Sequence, residues 1–540
     1  MKKINTEAGS FRDPAGTIFY HNDKVYRVLS DEGYERYKFL EKNNLLKQLI
    51  DKNYVIRTNQ IATQKLNLKE IISKYVLEHD KVNYISYPYE WSFQQLKDAA
   101  IHHLDLHLYL LNNNATLIDA SAYNIQFVGH KPVFIDILSI KEYEDGEYWK
   151  AHKQFCENFL NPLILKSKKN INFNNWFKGN LEGITTKDLN STLGITDKIS
   201  YNIFVQVVLL NYLENKAINS EIDIRKVKKK KFPKTSYISI LKNIRNLINS
   251  LKIKKERTIW GDYSTNNTYK IKEEINKKKV VEQFSKKFKF KIIADLGCND
   301  GVYSQICLAN GCKQVIGFDY DLNSINKAFR YSKENNLNFL PLYLDASNPS
   351  PEHGWLQSER KGFIQRANFS GMLALAFEHH LAIAKNVPLD QVINFLTNIA
   401  PRGLIEFVPK DDYTVEKMIS LKGDIFKHYN EENFKNILSR ASKIMSEKIN
   451  KKYAEKFNGQ QRDLLKLYAF SDSNPGSESF RKIEDYISAI TESTIEMVEK
   501  LGGSTDNEIL REKIVLPILG SVLPSSTKFF AQDSFWKQPR

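Results

Sequence analysis

The chain has 540 residues, 42% of them apolar and 12% aromatic, and a formal net charge of +16. At roughly 100–200 residues per domain, that length allows two to four domains, each burying its own core, and the composition excludes a disordered chain. No run of about 18 apolar residues is present, so no transmembrane helix is expected.

The opening MKKINTEAGSFRDPAG has two lysines but no apolar stretch of the kind a secretory signal needs. Residues 17–29, TIFYHNDKVYRVL, read as a β-hairpin turning at His-Asn-Asp. EGYERYKFLEKNNLLKQLI then has helical spacing, with Tyr34, Tyr37, Leu40, Leu45 and Leu49 near one side. VNYISYPYEWS reads as a strand and turn. FQQLKDAAIHHLDLHLYLLNN is a strong helix, with Phe93, Leu96, Ala100, Leu104 and Leu108 in register. Residues 150–250 look mostly helical and carry the lysine run RKVKKKKFPK, Arg225 to Lys234, which reads as an exposed loop because adjacent like charges repel. After about residue 285 short apolar strands alternate with helices: KIIADLG, QVIGFDYD, FLPLYLD, GMLALAF and GLIEFVP. That alternation is the signature of a parallel, doubly wound α/β sheet. The domains expected are therefore 1–250, 251–440, a polar helical insertion over 441–507, and two last strands within 508–540. Cys156, Cys298, Cys307 and Cys312 form no C-x-x-C pair and have no histidines at zinc spacing, so a reducing cytoplasm is the simplest home.

The segment KIIADLGCNDGVYS is an apolar strand, an acid and a tight glycine-bearing turn that opens into a helix. Gly297 and Gly301 let the backbone turn sharply and approach a ligand. Asp319 follows 24 positions after Asp295, at the end of the next strand, where an acid can accept hydrogen bonds from ribose hydroxyls. A nicotinamide or flavin fingerprint wants G-x-G-x-x-G around a pyrophosphate. Here the pattern is D-x-G-x-N-x-G, and Asp295 and Asp300 would repel a pyrophosphate. They suit a cationic ligand such as the ammonium and sulfonium of S-adenosylmethionine.

With ADLGCNDG, VIGFDYD, LYLDASN and LALAFEHHLAI in this order, the segment resembles class I S-adenosylmethionine-dependent methyltransferases. The resemblance implies that Asp295, Gly297, Asn299 and Gly301 line the methionine part of the cofactor, that Asp319 holds the ribose, and that Asp345 meets the adenine amino group. Asn299 stands where many such motifs have glycine, a change that a left-handed Asn accommodates. SFRDPAG, DASAYNIQF, PVFIDILS, LDASNPSPEHGWLQSER and LIEFVPKDD further resemble a group of bacterial proteins related to a rhizobial nodulation protein, over about residues 10–435.

On the acceptor side, Glu378-His379-His380 follows the fourth strand. Methyl transfer to oxygen or nitrogen needs an aligned acceptor and often a base near neutral pH, for which histidine is suited. His379 and His380 are the catalytic candidates, with packing or capping as the alternative role for one of them. Glu406 and Lys410 rank second, and Trp260, Tyr263 and Tyr269 are candidates for a lid. The chain lacks both the Pro-Pro turn of base-flipping amino-methylating enzymes and a Pro-Cys nucleophile after that strand. A small-molecule or glycan-type acceptor is therefore favoured, with RNA as the alternative.

Upstream, LIDASAYNIQFVGHKPVFIDILS has a second layout. Asp119, Asn124 and Asp136 stand where a phosphotransferase has its catalytic Asp and its two Mg²⁺ ligands. This part resembles the aminoglycoside-phosphotransferase branch of the kinase fold, which implies ATP and Mg²⁺. Lys24 and Arg27, with Glu35 or Glu41, are the candidates for the nucleotide ion pair. The fold class expected is thus α/β, a Rossmann-like methyltransferase sheet preceded by an α+β kinase-like domain. That domain either presents the acceptor or phosphorylates it; a non-catalytic scaffold and a bifunctional kinase–methyltransferase are the other readings.

Overall fold

The computed structural model describes residues 5–42, 44–63, 75–212, 215, 231–253, 271–449 and 466–471. The chain forms two compact units. One contains Met1–Glu256, Ile325–Tyr343 and Ser350–Arg366; the other contains Arg257–Ser324, Leu344–Pro349 and Ala367–Arg540.

The first unit opens with strands β1 (Asn5–Thr6), β2 (Gly16–His21) and β3 (Lys24–Leu29), helices α1 (Asp31–Lys42) and α2 (Leu45–Asp51), and strands β4 (Thr58–Ile61) and β5 (Val76–His79). These strands make one antiparallel sheet in the order β1-β2-β3-β5-β4. The expected hairpin is β2–β3. Asn22 and Asp23 both turn with positive φ, at 47° and 61°, and Asn and Asp tolerate that conformation best among residues with side chains. Residues 80–87 are irregular and the strand lies just upstream at β5, which corrects the strand expected at VNYISYPYEWS. Tyr84 and Tyr87 there are buried, so the apolar signal came from packing, not from pairing in a sheet.

The strong helix is α3 (Phe93–Asn112). Ser92 caps it: its Oγ accepts from the Gln95 N–H, and the Gln95 Oε1 accepts from the Ser92 N–H. Phe93, Leu96, Ala100 and Leu104 are buried as expected, while Leu106, Leu110 and Leu111 widen the stripe and Leu108 lies at its margin. Short strands β6 (Ala115–Leu117), β7 (Ile125–Val128), β8 (Lys131–Phe134) and β9 (Ile140–Glu142) follow, pairing β6 with β9 and β7 with β8. Short helical turns between 152 and 212 and α4 (Lys234–Ser250) bear out the helical reading of that region, although most of its lysine run lies outside the described residues.

In the second part of the chain come α5 (Ile271–Phe288), β10 (Ile293–Leu296), α6 (Val302–Ala309), β11 (Val315–Asp319), α7 (Leu322–Glu334), β12 (Phe339–Tyr343), β13 (Gly371–Ala374), α8 (Leu389–Ile399), β14 (Arg402–Phe407), α9 (Tyr413–Lys422), α10 (Glu431–Ala441), β15 (Lys443–Ile449) and β16 (Lys466–Ser471). All five expected strands are present. In the second unit β11, β10, β13 and β14 are parallel and adjacent in that order, followed by β16 and β15, both antiparallel to their neighbours. β10 and β13 are buried at every position, which is why they read as continuous apolar runs rather than alternating ones. The fold is thus α/β and Rossmann-like.

Two domain expectations change. β15 and β16 lie inside 441–507, where a helical insertion was expected. Strands at a sheet margin carry polar residues, and the lysines and glutamate of KIMSEKI masked the strand signal. The tail 508–540 lies outside the described residues. Residues 325–343 and 350–366 also belong with the first unit, although the sequence suggested a boundary near 250. Within that unit the Gln95 side chain donates to the Pro341 carbonyl at 3.0 Å. The Arg366 guanidinium grips the Glu90 carboxylate through both terminal nitrogens, bonds Ser350 Oγ at 2.8 Å and the Ile85 carbonyl at 2.7 Å, and lies over the Tyr87 ring. Both charged side chains are 4% exposed, so the pair is fully desolvated and each partner needs the other.

Candidate functional site

The residues of the downstream motif converge at the carboxyl ends of β10, β11 and β13. Asp295 lies near the end of β10, and after Leu296 the chain turns through Gly297, whose φ is +75°. A β-carbon at Gly297 would lie 3.3 Å from the Phe377 ring, in the loop after β13, so glycine is needed for conformation and for space. The N–H groups of Gly297 and Cys298 both donate to the Phe318 carbonyl at the end of β11, at 2.8 and 3.0 Å, and stitch the turn to the neighbouring strand. Asn299 has φ +48°, the left-handed conformation that its place in the motif requires. Gly301, at φ +90°, precedes α6.

Among the described residues, Asp295 and Asp319 have no cationic side chain at hydrogen-bond distance. Asp319 is half-buried; its Oδ2 accepts from the Asn299 N–H and its Oδ1 from the Asp321 N–H, each at 2.8 Å. Each oxygen keeps a lone pair. Asp295 is 2% exposed and its Oδ2 accepts from Ser304 Oγ at 2.6 Å. Burial pushes both carboxyls up to about 6, against the pull of these hydrogen bonds. Cys298, in the same turn, is driven well above its usual range by burial and by Asp319, Asp295 and Asp300, which makes it an inert thiol. Asp345 folds into its own turn, its Oδ1 accepting from the Ser347 N–H at 3.0 Å and from Ser347 Oγ at 2.6 Å. The Leu344 N–H donates to the Asp319 carbonyl at 2.9 Å, which ties the Asp345 segment to the end of β11.

After β13 the loop carries Glu378, His379 and His380. Glu378 is fully buried; its Oε1 accepts from the Val408 N–H, at the end of β14, and lies 2.9 Å from the Tyr429 hydroxyl, whose single proton it shares with the Val408 carbonyl. Glu378 Oε2 lies 3.6 Å from His379 Nδ1. Both atoms are sealed from solvent without a hydrogen-bond partner, whereas His379 Nε2 is not among the buried atoms that lack one. The His379 and His380 rings are 4.1 Å apart. Burial, with His379 and Lys385 nearby, lowers His380 well below its usual range, so its imidazole is neutral at pH 7.

The second-rank candidates have other partners. Glu406 forms a buried ion pair with Lys277 of α5 at 2.6 Å, and Lys277 also lies over the Tyr303 ring. Lys410 pairs with Asp424 on the surface. Trp260, Tyr263 and Tyr269 lie outside the described residues. Sequence reasoning missed Tyr429 and Lys277. Neither neighbours a motif, and only the carboxyl ends of the strands bring them to Glu378 and Glu406.

In the first unit, Asp119 and Asn124 meet: Asn124 Nδ2 donates to Asp119 Oδ2 at 2.9 Å, and the Ser121 N–H donates to Oδ1. Burial raises the Asp119 carboxyl, opposed by its hydrogen bonds. Asp136 is held elsewhere. Its Oδ1 accepts from Arg27 Nη1 at 2.7 Å, and the other terminal nitrogen of Arg27 pairs with Asp13. Arg27 is 4% exposed; burial disfavours its charge, but Asp136 and Asp13 outweigh that and keep it cationic. The nucleotide ion pair expected from Lys24 or Arg27 with Glu35 or Glu41 is not formed. Lys24 pairs with Glu78, Glu35 with Lys38, and Glu41 accepts from the Tyr37 hydroxyl. Among the described residues no group of three or more His, Cys, Asp or Glu side chains is placed to hold a metal ion. No described helix is long and apolar enough to cross a membrane.

No protein-family model matches the chain. The nodulation protein NoeA of Rhizobium meliloti (strain 1021) is 40% identical over 444 residues, 82% of this chain and 93% of that protein. Among solved structures, the N-methyltransferase NodS from Bradyrhizobium japonicum WM9 aligns at 14% identity over 38% of this chain and 98% of its own, with a TM-score of 0.27. The PH0226 protein from Pyrococcus horikoshii OT3 aligns at 15% identity over 39% of this chain and 98% of its own, also at 0.27. At such scores these structural likenesses carry no argument about substrate or mechanism.

Proposed function

This chain belongs to the family of the nodulation protein NoeA, and we propose that it is an S-adenosylmethionine-dependent methyltransferase acting on an oxygen or nitrogen of a small-molecule or glycan-type acceptor. The observation that carries the reading is the acid-lined turn at the end of β10. The cofactor fits the residues present: Asp319 keeps one lone pair on each oxygen for two ribose hydroxyls, Gly297 and Gly301 keep side chains out of the turn, and Asp295 with Asp300 supplies negative potential for a cation. Asp345 would meet the adenine edge. When bound, S-adenosylmethionine supplies a methyl group on a positively charged sulfur. The chain's own part is to orient the acceptor, exclude water and take its proton, and His379 Nε2 is the base we assign, with neutral His380 beside it. Calorimetry on the full chain tests the reading. S-adenosylhomocysteine should bind, and Asp319→Ala should abolish binding; absence of binding to the wild type sinks the proposal.

For the first unit, the sheet order β1-β2-β3-β5-β4, with α1 and α2 between β3 and β4, and the Asp119–Asn124 pair support a kinase-like module. Its residues do not fit Mg²⁺. The Arg27 guanidinium already sits on the Asp136 carboxylate that would hold the metal, and a fixed cation there opposes a second one. This favours a module that presents the acceptor over one that phosphorylates it. The wild type should show no Mg²⁺-dependent ATP binding; binding that Asp136→Ala removes would restore the kinase.

A further inference from the structure

We infer that Glu378 is a positioning residue for His379. Its carboxylate, clamped by the Val408 N–H and the Tyr429 hydroxyl, accepts the Nδ1–H of His379 and so leaves Nε2 as the unprotonated nitrogen that receives a proton. The inference rests on the methyltransferase reading for what the base is for, and on geometry alone for how it is held.

Three facts carry it. Glu378 Oε1 is committed to two partners that belong to different segments, the end of β14 and the stretch before α10, so the carboxylate cannot rotate without breaking both. The remaining oxygen, Oε2, faces His379 Nδ1 at 3.6 Å, and neither atom has a hydrogen-bond partner in surroundings closed to water. A buried donor and a buried acceptor without partners are each costly, and a small closure satisfies both at once. Contacts of this kind are often long before substrate binds and tighten in the working complex. The remaining ring nitrogen, Nε2, is not among the buried atoms that lack a partner. A carboxylate on Nδ1 fixes the tautomer and stabilises the imidazolium that forms when Nε2 takes a proton, the role an acid plays behind a catalytic histidine elsewhere.

Among the described residues, the charged and titratable groups around the pair are few. His380 faces His379 ring to ring, with Lys385 behind it; Tyr429 faces Glu378, with Asp412 and Glu406 acting on Tyr429 from further off. Glu378 is the carboxylate in direct contact with the Nδ1 side of His379.

The test is nitrogen NMR of the full chain labelled with ¹⁵N-histidine. The His379 signal, among 11 histidines, is identified by its loss in His379→Gln. In the wild type His379 should be the Nδ1–H tautomer. In Glu378→Gln, which keeps size and the Val408 contact, that tautomer preference should disappear, because the carboxylate that fixes it is gone. Tyr429→Phe loosens the clamp and should weaken the same tautomer preference to a smaller extent. An unchanged tautomer in folded Glu378→Gln overturns the inference. Should that variant not fold, an unchanged tautomer preference in Tyr429→Phe overturns it. S-adenosylhomocysteine calorimetry on the same samples keeps the two claims apart. A wild type that fails to bind strikes the methyltransferase reading, whereas the link from Glu378 to His379 is judged by the NMR signal alone.

Discussion

Asp295→Asn tests the electrostatics of the turn most directly. Asp295 is 2% exposed and burial lifts its carboxyl from an ordinary 3.8 to about 6. A folded-state value above the unfolded one means that the fold holds the proton better than the unfolded chain does. Stability from this group is therefore present below the unfolded value and is lost as pH rises through the folded one. A shift of about 2 units corresponds to about 3 kcal/mol of destabilisation once the group is ionised in both states. Asparagine matches the shape and carries no charge, so it removes that cost, but its hydrogen bond with Ser304 is weaker by about 1 kcal/mol than one to a carboxylate. The net expectation is a gain of about 2 kcal/mol at pH 8, which raises the melting transition of the second unit by about 4–8 °C. At pH 5 Asp295 already holds its proton in the fold, and the gain should shrink below about 1 kcal/mol. Scanning calorimetry at the two pH values, following each transition separately, measures this. A gain of equal size at both pH values, or a loss at pH 8, refutes the assignment of burial as the dominant cause. The same variant should bind S-adenosylmethionine more weakly, because the negative potential is part of the proposed site.

Lys277→Met takes the ammonium from buried Glu406 and should cost about 3–5 kcal/mol in thermal unfolding; Lys277→Met with Glu406→Leu should recover most of it, since two apolar groups need no pairing. Gly297→Ala forces a side chain onto a backbone at φ +75° and against the Phe377 ring, so S-adenosylhomocysteine affinity should fall at least about 10-fold while the melting temperature drops by a few degrees, on the order of 1–3 kcal/mol of strain. Arg27→Met leaves Asp136 and Asp13 facing each other without their shared cation; the first unit should lose about 3–5 kcal/mol, and unchanged stability would show that the pair is not formed. Arg366→Met should destabilise the same unit by a similar about 3–5 kcal/mol, and Glu90→Gln in that background should recover part of it.

The α/β class, the five strands from β10 to β14 and the glycine-acid turn were legible from sequence because each rests on local rules. A buried parallel strand needs an unbroken apolar run, a tight turn needs Gly or Asn, and the spacing from Asp295 to Asp319 is one helix and one strand. The β2–β3 hairpin and the capped α3 were legible for the same reason. β15 and β16 were not, because the lysines and glutamate of KIMSEKI hide the edge strand β15, and the short apolar run of β16, KLYAFS, stands alone in a polar stretch of sequence. The layout Asp119, Asn124 and Asp136 was also written in the sequence, but its chemistry was not. Only the sheet of the first unit brings Arg27, 109 positions away, onto Asp136. The same holds in the second unit, where Tyr429 lies 51 positions from Glu378 and Val408 lies 30. Charge and turn geometry are properties of neighbours in the chain. What a carboxylate does is set by the partner across from it, and that partner is chosen by tertiary packing.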